Sequence, residues 1–196
     1  TPTTVTITHD TNSYKNTLVF DSGSQHKAIA LLVEDQNTHT IWESLGFKKA
    51  QILKVNDIVD IVGSTALDIA AAFDQIAAIN ALVDAGADLN TQSENGPPMC
   101  IAAETGRTAA VMALIHAGAD MNLAKLRNGY TPLHLAVCQG SVACIAVLIQ
   151  AGADIFKVND HEMTPLDVAM QSLNDAVDGS RYEEIAKLLR VAELFW

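Results

Sequence analysis

The sequence predicts an all-α repeat solenoid of helix–turn–helix units with projecting loops, carrying a β-hairpin and a helical cap at its N-terminal end. Three observations predict it. Thr131-Pro132-Leu133-His134-Leu135-Ala136 returns in altered form as Thr65-Ala66-Leu67-Asp68-Ile69-Ala70, Pro97-Pro98-Met99-Cys100-Ile101-Ala102 and Thr164-Pro165-Leu166-Asp167-Val168-Ala169. The alanines that close these blocks, Ala70, Ala102, Ala136 and Ala169, lie 32, 34 and 33 residues apart. A second block, Ala-Gly-Ala-Asp, ends three of the units, at 85–88, 117–120 and 151–154. Helices as short as these are marginal alone, so each unit must bury its apolar faces against a neighbour of its own kind.

In chain order, residues 1–23 read as the hairpin. Thr4 to Thr8 and Asn16 to Phe20 are rich in β-branched residues, and the turn-forming cluster His9-Asp10-Thr11-Asn12-Ser13 separates them. Residues 24–62 read as the helical cap and connector. Ala28 to Val33 is expected to be the middle of a helix starting near Ser24, and a second helical segment holds Ile41, Trp42 and Leu45 before Gly46 stops it. Ile52, Val55, Ile58, Val59, Ile61 and Val62 are too apolar for an ordinary connector, and their pattern does not decide a secondary structure. The repeats follow at about 63–95, 96–128, 129–161 and 162–196.

The unit from Gly129 to Asp154 is the clearest. Thr131 can cap the free N–H groups of a helix in which Pro132 takes the first position. Gly140 breaks that helix, and Val142 to Ile149 is apolar nearly all round, so a second helix there needs cover on several sides. Gly152 stands where a left-handed cap ends it. The other units depart from this one informatively. Glu162 replaces the loop glycine found at Gly96 and Gly129, and Asp74 replaces the turn glycine found at Gly106 and Gly140. If those sites stay left-handed, each non-glycine residue costs roughly 1 kcal/mol. The loop Asp88 to Pro98 is two residues shorter than Asp120 to Pro132, and the fourth unit carries an insertion within Ser172 to Ser180. The last helix, from Tyr182, ends on Leu194-Phe195-Trp196: either these side chains fold back onto the last repeat, or the chain was cut from a longer one.

Bulk chemistry narrows the function. Hydrophobic residues make up 49% and aromatic residues 5%, which suits a core of Ala, Leu, Ile and Val between close-packed helices. A formal charge of −11 argues against nucleic-acid and anionic-membrane binding, both of which need a basic surface. The most apolar stretch, Pro132 to Ile149, is interrupted by His134, Gln139, Gly140 and Ser141 and does not read as transmembrane. Cys100, Cys138 and Cys144 form no disulfide framework and point to a reducing, cytoplasmic compartment. They also lack zinc-ligand spacing and read as small, partly buried hydrophobes. Cys100 and His134 occupy the same site in adjacent units, a repeat apart, too far for direct proton transfer. Asn174 to Gly179 faintly resembles a calcium loop but lacks its third and bidentate ligands. The expectation is therefore no enzyme, no cofactor and no metal.

Taken together, the 33-residue period, the Thr-Pro-Leu-His-Leu-Ala core and the Ala-Gly-Ala-Asp ends resemble the ankyrin repeat over about two-thirds of the chain. The resemblance implies that His134 is a structural hydrogen-bonder and that the chain is a non-catalytic protein-interaction module. Its partner would lie on the loop tips and on the concave face of the first helices. Carried over position by position, the expected contacts are Phe73, Glu94, Glu104, Thr105, Lys125, Leu126, Arg127, Tyr130, Gln139, His161 and Met163. The acidic residues among and around them favour a protein partner of basic or mixed charge, bound by a monomer. Replacing Tyr130 and Arg127 together by Ala is expected to weaken binding by about 2 kcal/mol or more with stability nearly unchanged. The alternative is the recognition domain of a larger enzyme, or of a bacterial effector acting in a host cytosol. It is favoured by the Met-less start, the apolar C-terminal end and the hairpin outside the repeat pattern.

Overall fold

The computed structural model describes residues 64–175 and 179–195, together with four strand segments at 3–9, 14–20, 28–33 and 52–54. From residue 64 onward it is an all-α repeat solenoid. Each repeat contributes two antiparallel helices: α1 Ala66–Ala72 and α2 Ile76–Asp84, α3 Pro98–Glu104 and α4 Thr108–Ala117, α5 Pro132–Gln139 and α6 Val142–Gln150, α7 Pro165–Asp175 and α8 Ser180–Glu193. The first helices stack in the order α1, α3, α5, α7, and the second helices in the order α2, α4, α6, α8. Three loops join the repeats: loop 1 (residues 85–97), loop 2 (118–131) and loop 3 (151–164).

The stacking follows from side-chain size. Ala70, Ala102, Ala136 and Ala169 are fully buried where consecutive first helices meet, so the backbones approach closely. Leu67, Ile79, Leu82, Met99, Leu114, Leu133, Ile145, Leu148, Ile185 and Leu189 fill the layers between them. The core is therefore continuous through all four repeats. Truncating one of these leucines to Ala costs about 2–5 kcal/mol, more than a helix this short gains by itself.

Local chemistry starts and stops each helix. Thr65 and Asp68 form a reciprocal capping box: the Thr65 N–H donates to Asp68 Oδ2 at 2.8 Å, and the Asp68 N–H donates to Thr65 Oγ1 at 3.3 Å. Thr164 and Asp167 repeat the arrangement, and the Thr164 bonds hold the Asp167 carboxyl below its usual range. Thr131 and His134 supply it in repeat 3, whereas Pro97 starts α3 without a side-chain cap. Gly118 and Gly140 end α4 and α5 in the left-handed region, at φ 88° and 70°.

The two irregular sites also keep the left-handed conformation, with φ 57° at Asp74 and 58° at Glu162. Asp74 gains something for it. Its Oδ1 accepts the Ala110 N–H at 2.7 Å, capping α4 of the next repeat, whose own N-cap residue Arg107 makes no side-chain capping bond. Further bonds tie repeat to repeat. Asn90 Oδ1 accepts the Asp120 N–H and Asn122 Oδ1 accepts the Asp154 N–H, at 2.9 and 2.8 Å. At the ends of first helices, Arg107 Nε donates to the Ala72 carbonyl and the Tyr182 hydroxyl donates to the Cys138 carbonyl, each at 3.1 Å.

The N-terminal segments form one antiparallel sheet in the order β1 (Thr3–His9), β2 (Tyr14–Phe20), β3 (Ala28–Val33), β4 (Ile52–Lys54). Thr3 pairs with Phe20, Phe20 with Ile29, and Ala28 with Lys54. The helix expected over Ala28 to Val33 is thus corrected to a strand. Six consecutive apolar residues show no periodicity that separates 3.6 from 2, and such a run fits a strand of this length. The turn cluster at 10–13, the second cap helix at 41–46 and most of the connector lie outside the described residues.

At the other end, Leu194 and Phe195 are 80% and 84% exposed, so these two side chains do not fold back onto the last repeat. Among the described residues no helix is long and apolar enough to cross a membrane.

Candidate protein-binding surface

The seam between repeats 2 and 3 gathers more of the expected contact residues than any other place in the described chain. It is built from loop 2. The Lys125 N–H donates to the Tyr130 carbonyl at 2.9 Å and the Gly129 N–H to the Lys125 carbonyl at 3.0 Å, closing residues 125–130 into a compact turn. Only a residue without Cβ fits at Gly129, because its φ is 67° and an added carbon would press on the Asp160 backbone N at 2.8 Å. The Lys125 stem crosses Gly96 of loop 1, where an added Cβ would meet Lys125 Cγ at 2.6 Å. Its ammonium then pairs with Glu104 at 2.6 Å, with the Lys125 side chain 14% exposed and that of Glu104 50% exposed. Lys125 is therefore a brace between loop 2 and the end of α3, not a free cation.

Tyr130 closes the same turn from the other side. Its ring packs on the His134 ring with centroids 5.5 Å apart, and it leans on the buried core. Burial raises its hydroxyl pKa, with the nearby Cys138 adding to the effect. Cys138 is pushed up likewise, first by burial and then by the Glu104 carboxylate. Burial also pushes Cys100, beneath loop 2, to about 12, and its thiol donates to the Leu123 carbonyl at 3.4 Å. Glu104, Lys125, Tyr130 and Cys138 thus sit within electrostatic reach of one another. Neither thiol nor the Tyr130 phenol has the lowered pKa of a nucleophile.

From this frame Leu126 and Arg127 project. Leu126 is 79% exposed and Arg127 is exposed as well. Glu94 in loop 1, Gln139 at the end of α5 and His161 in loop 3 are also exposed. The Gln139 side chain lies over Gly106, at 3.4 Å from where a Cβ would stand. Thr105 is exposed, but its hydroxyl donates to the Ile101 carbonyl at 2.7 Å as α3 ends. Phe73 and Met163 are half-buried, Phe73 as the residue that ends α1 and Met163 against the core. The eleven expected contacts therefore divide: Phe73, Glu104, Thr105, Lys125, Tyr130 and Met163 carry structure, and Glu94, Leu126, Arg127, Gln139 and His161 point outward.

The Tyr130 packing revises one expectation. Removing a half-buried ring that supports His134 costs stability, so Tyr130→Ala is not a clean probe of binding. Cys144 is buried as expected, whereas Cys138 is exposed. Sequence reasoning missed the cross-repeat cap of Asp74, the braces from Arg107 and Tyr182, and the burial of Asn159. The Asp-x-Asn repetition at 88–90 and 120–122 was the signal for the loop-to-loop bonds. Among the described residues no group of three or more His, Cys, Asp or Glu side chains is placed to hold a metal. A shallow groove of about 590 Å³ between α2 and α4, lined by Ile76, Val83, Met112 and His116 among others, lies along the second helices.

Comparison with known families gives the same repeats. A model of the ankyrin repeat matches residues 62–94, and a model of three consecutive ankyrin repeats matches residues 99–193. No curated protein matches the chain.

Proposed function

The chain belongs to the ankyrin-repeat family, and from that premise we propose that it is a non-catalytic module that binds a protein partner through its loop tips and the concave face of its first helices. The observation that carries this reading is the construction of loop 2. Lys125 and Tyr130 are spent on holding the turn rigid, and the turn displays a large apolar side chain and an arginine to solvent. Arg is enriched in interface cores, and a rigid display loses little entropy on binding. Glu94 and Asp160 are exposed in loops 1 and 3 and Arg127 in loop 2, so the loops carry both signs of charge, which supports a partner of mixed charge. Ankyrin repeats are generally non-catalytic, and the raised thiol pKa values favour that reading here.

The binding form is a monomer, and three unpaired thiols suit a reducing cytoplasm. The rival reading is a recognition domain of a larger enzyme or of a bacterial effector. The test is affinity selection from the native cell with the wild-type chain and with a Leu126→Ala/Arg127→Ala variant. A specific partner retained by the first and lost by the second supports the proposal. Partners retained equally by both would remove loop 2 from the interface.

A further inference from the structure

The sequence contains two Asn-Gly steps, Asn95-Gly96 in loop 1 and Asn128-Gly129 in loop 2. Such a step is chemically weak, because glycine has no side chain to keep its backbone nitrogen away from the asparagine amide carbon. The two steps are held differently. Asn95 is exposed, and among the described residues no hydrogen bond reaches its side chain. Its turn is closed locally: the Gly96 N–H donates to the Ser93 carbonyl at 3.0 Å, and the Ser93 hydroxyl donates to the Gly96 carbonyl at 2.8 Å. Asn128 is half-buried and tied twice. Its Oδ1 accepts the Tyr130 N–H at 3.2 Å, and its carbonyl accepts the Asp160 N–H of loop 3 at 3.1 Å.

We propose that Asn95 is a site of spontaneous deamidation and that the fold protects Asn128 from the same reaction. The Gly96 nitrogen gives up its proton and attacks Asn95 Cγ. A new C–N bond closes a succinimide ring, the Cγ–Nδ2 bond breaks, and the side-chain amide leaves as ammonia with that proton. Water then opens the ring, and nothing is oxidised or reduced. Opening at Cγ gives aspartate. Opening at the α-carbonyl gives isoaspartate, with the main chain rerouted through Cβ and Cγ.

Both glycine N–H groups donate to a carbonyl, so each attack needs its turn to open, and its rate follows the free energy of that opening. Loop 1 opens by losing bonds within residues 93–96, and what covers Gly96 is the Lys125 stem, a flexible chain that can follow. Loop 2 must also break the tie to Asp160, whose backbone N lies 2.8 Å from where a Gly129 Cβ would stand. It must further shift Tyr130 from the His134 ring. The reaction at Asn95 alters the seam between loops 1 and 2. Either product adds a negative charge beside Glu94. Isoaspartate also lengthens the turn by a methylene and displaces Gly96 from the Lys125 stem, loosening the pair with Glu104.

The test ages the full folded chain in mildly alkaline buffer and follows each asparagine by peptide mapping, with isoaspartate read by enzymatic carboxyl methylation. Asn95 should convert faster than Asn128 by about fivefold or more, and in urea that preference should vanish. Tyr130→Ala, which removes a pin of loop 2, should speed conversion at Asn128 and leave Asn95 unchanged. In the isoaspartate fraction Lys125 should react faster with an amine-acylating reagent than in the intact chain. Asn95→Asp, which adds the charge without the methylene, should leave Lys125 as slow as in the wild type. Asn128 converting as fast as Asn95 in the folded chain overturns the proposal, as does Asn95 converting no faster than asparagines not followed by glycine. A preference that survives in urea, or an unchanged Asn128 rate in folded Tyr130→Ala, overturns the protection by the fold. Equal Lys125 reactivity in the isoaspartate fraction and the intact chain overturns the link to the brace.

Discussion

Asp74 and Glu162 allow one substitution to be made twice with opposite results. Both are non-glycine residues in the left-handed region, at φ 57° and 58°, where sibling repeats have glycine. The left-handed conformation costs a side-chain-bearing residue about 1–2 kcal/mol, and glycine gives back about 0.4–1 kcal/mol through the looser unfolded chain. At Glu162 nothing else changes, because the bond at that residue runs from its backbone N–H to the Asn159 carbonyl. Glu162→Gly should therefore stabilise the protein by about 0.5 kcal/mol. At Asp74 the same relief is outweighed. The substitution removes the acceptor of the Ala110 N–H, a 2.7 Å bond to a fully buried residue in the first turn of α4. Losing a helix cap costs about 0.5–2 kcal/mol, and leaving the donor unpaired adds to it. Asp74→Gly should destabilise by about 1–2 kcal/mol, and Asp74→Asn, which keeps an oxygen acceptor, by less. Urea unfolding followed by circular dichroism resolves both, and the sites lie in different repeats, so the double variant should show the sum. Two substitutions with the same sign would refute the reasoning: joint stabilisation would mean that the cross-repeat cap contributes nothing, and joint destabilisation that no strain is stored at Glu162.

Other consequences are quicker to check. Leu126→Ala and Arg127→Ala should each move stability by less than about 0.5 kcal/mol, because neither exposed side chain braces the turn, whereas Tyr130→Ala should cost about 1–2 kcal/mol; thermal melts separate the two classes. A double-mutant cycle on Lys125 and Glu104 should give a coupling of about 0.5–1 kcal/mol that shrinks in high salt, and zero coupling would show the pair to be idle. With an alkylating reagent near neutral pH, the folded protein should lose one thiol, Cys138, more slowly than free cysteine reacts. Cys100 and Cys144 should react only after denaturation, and labelling of either in the native state would contradict their burial.

The repeat region was legible because its signals agree at every level. Thr65, Thr131 and Thr164 cap helices as their sequence positions require, buried alanines mark the helix contacts, and the glycines fall at left-handed turns. Asp74 and Glu162, read from the pattern as exceptions at glycine sites, do hold that conformation. The sheet segments were harder. Ala28 to Val33 has no polar residue to report which face is buried, and helix and strand look alike in such a run. At the candidate surface the sequence named the right neighbourhood without sorting it. Whether Lys125 points to a partner or to Glu104 depends on Gly96, 29 positions earlier, leaving room for its stem. Tyr130 likewise looks like an exposed aromatic until His134 is placed beneath it. Both pairings depend on how loop 2 folds back on its own repeats, which no local pattern records.

The central claim is that a rigid loop 2 presents Leu126 and Arg127 to a protein partner. The most direct measurement is the dissociation constant of a partner selected on the wild-type chain, compared with that for Leu126→Ala/Arg127→Ala at equal folded stability. A loss of about tenfold or more, with unfolding curves superimposed, is the predicted result. Unchanged affinity in a variant that unfolds like the wild type would contradict it.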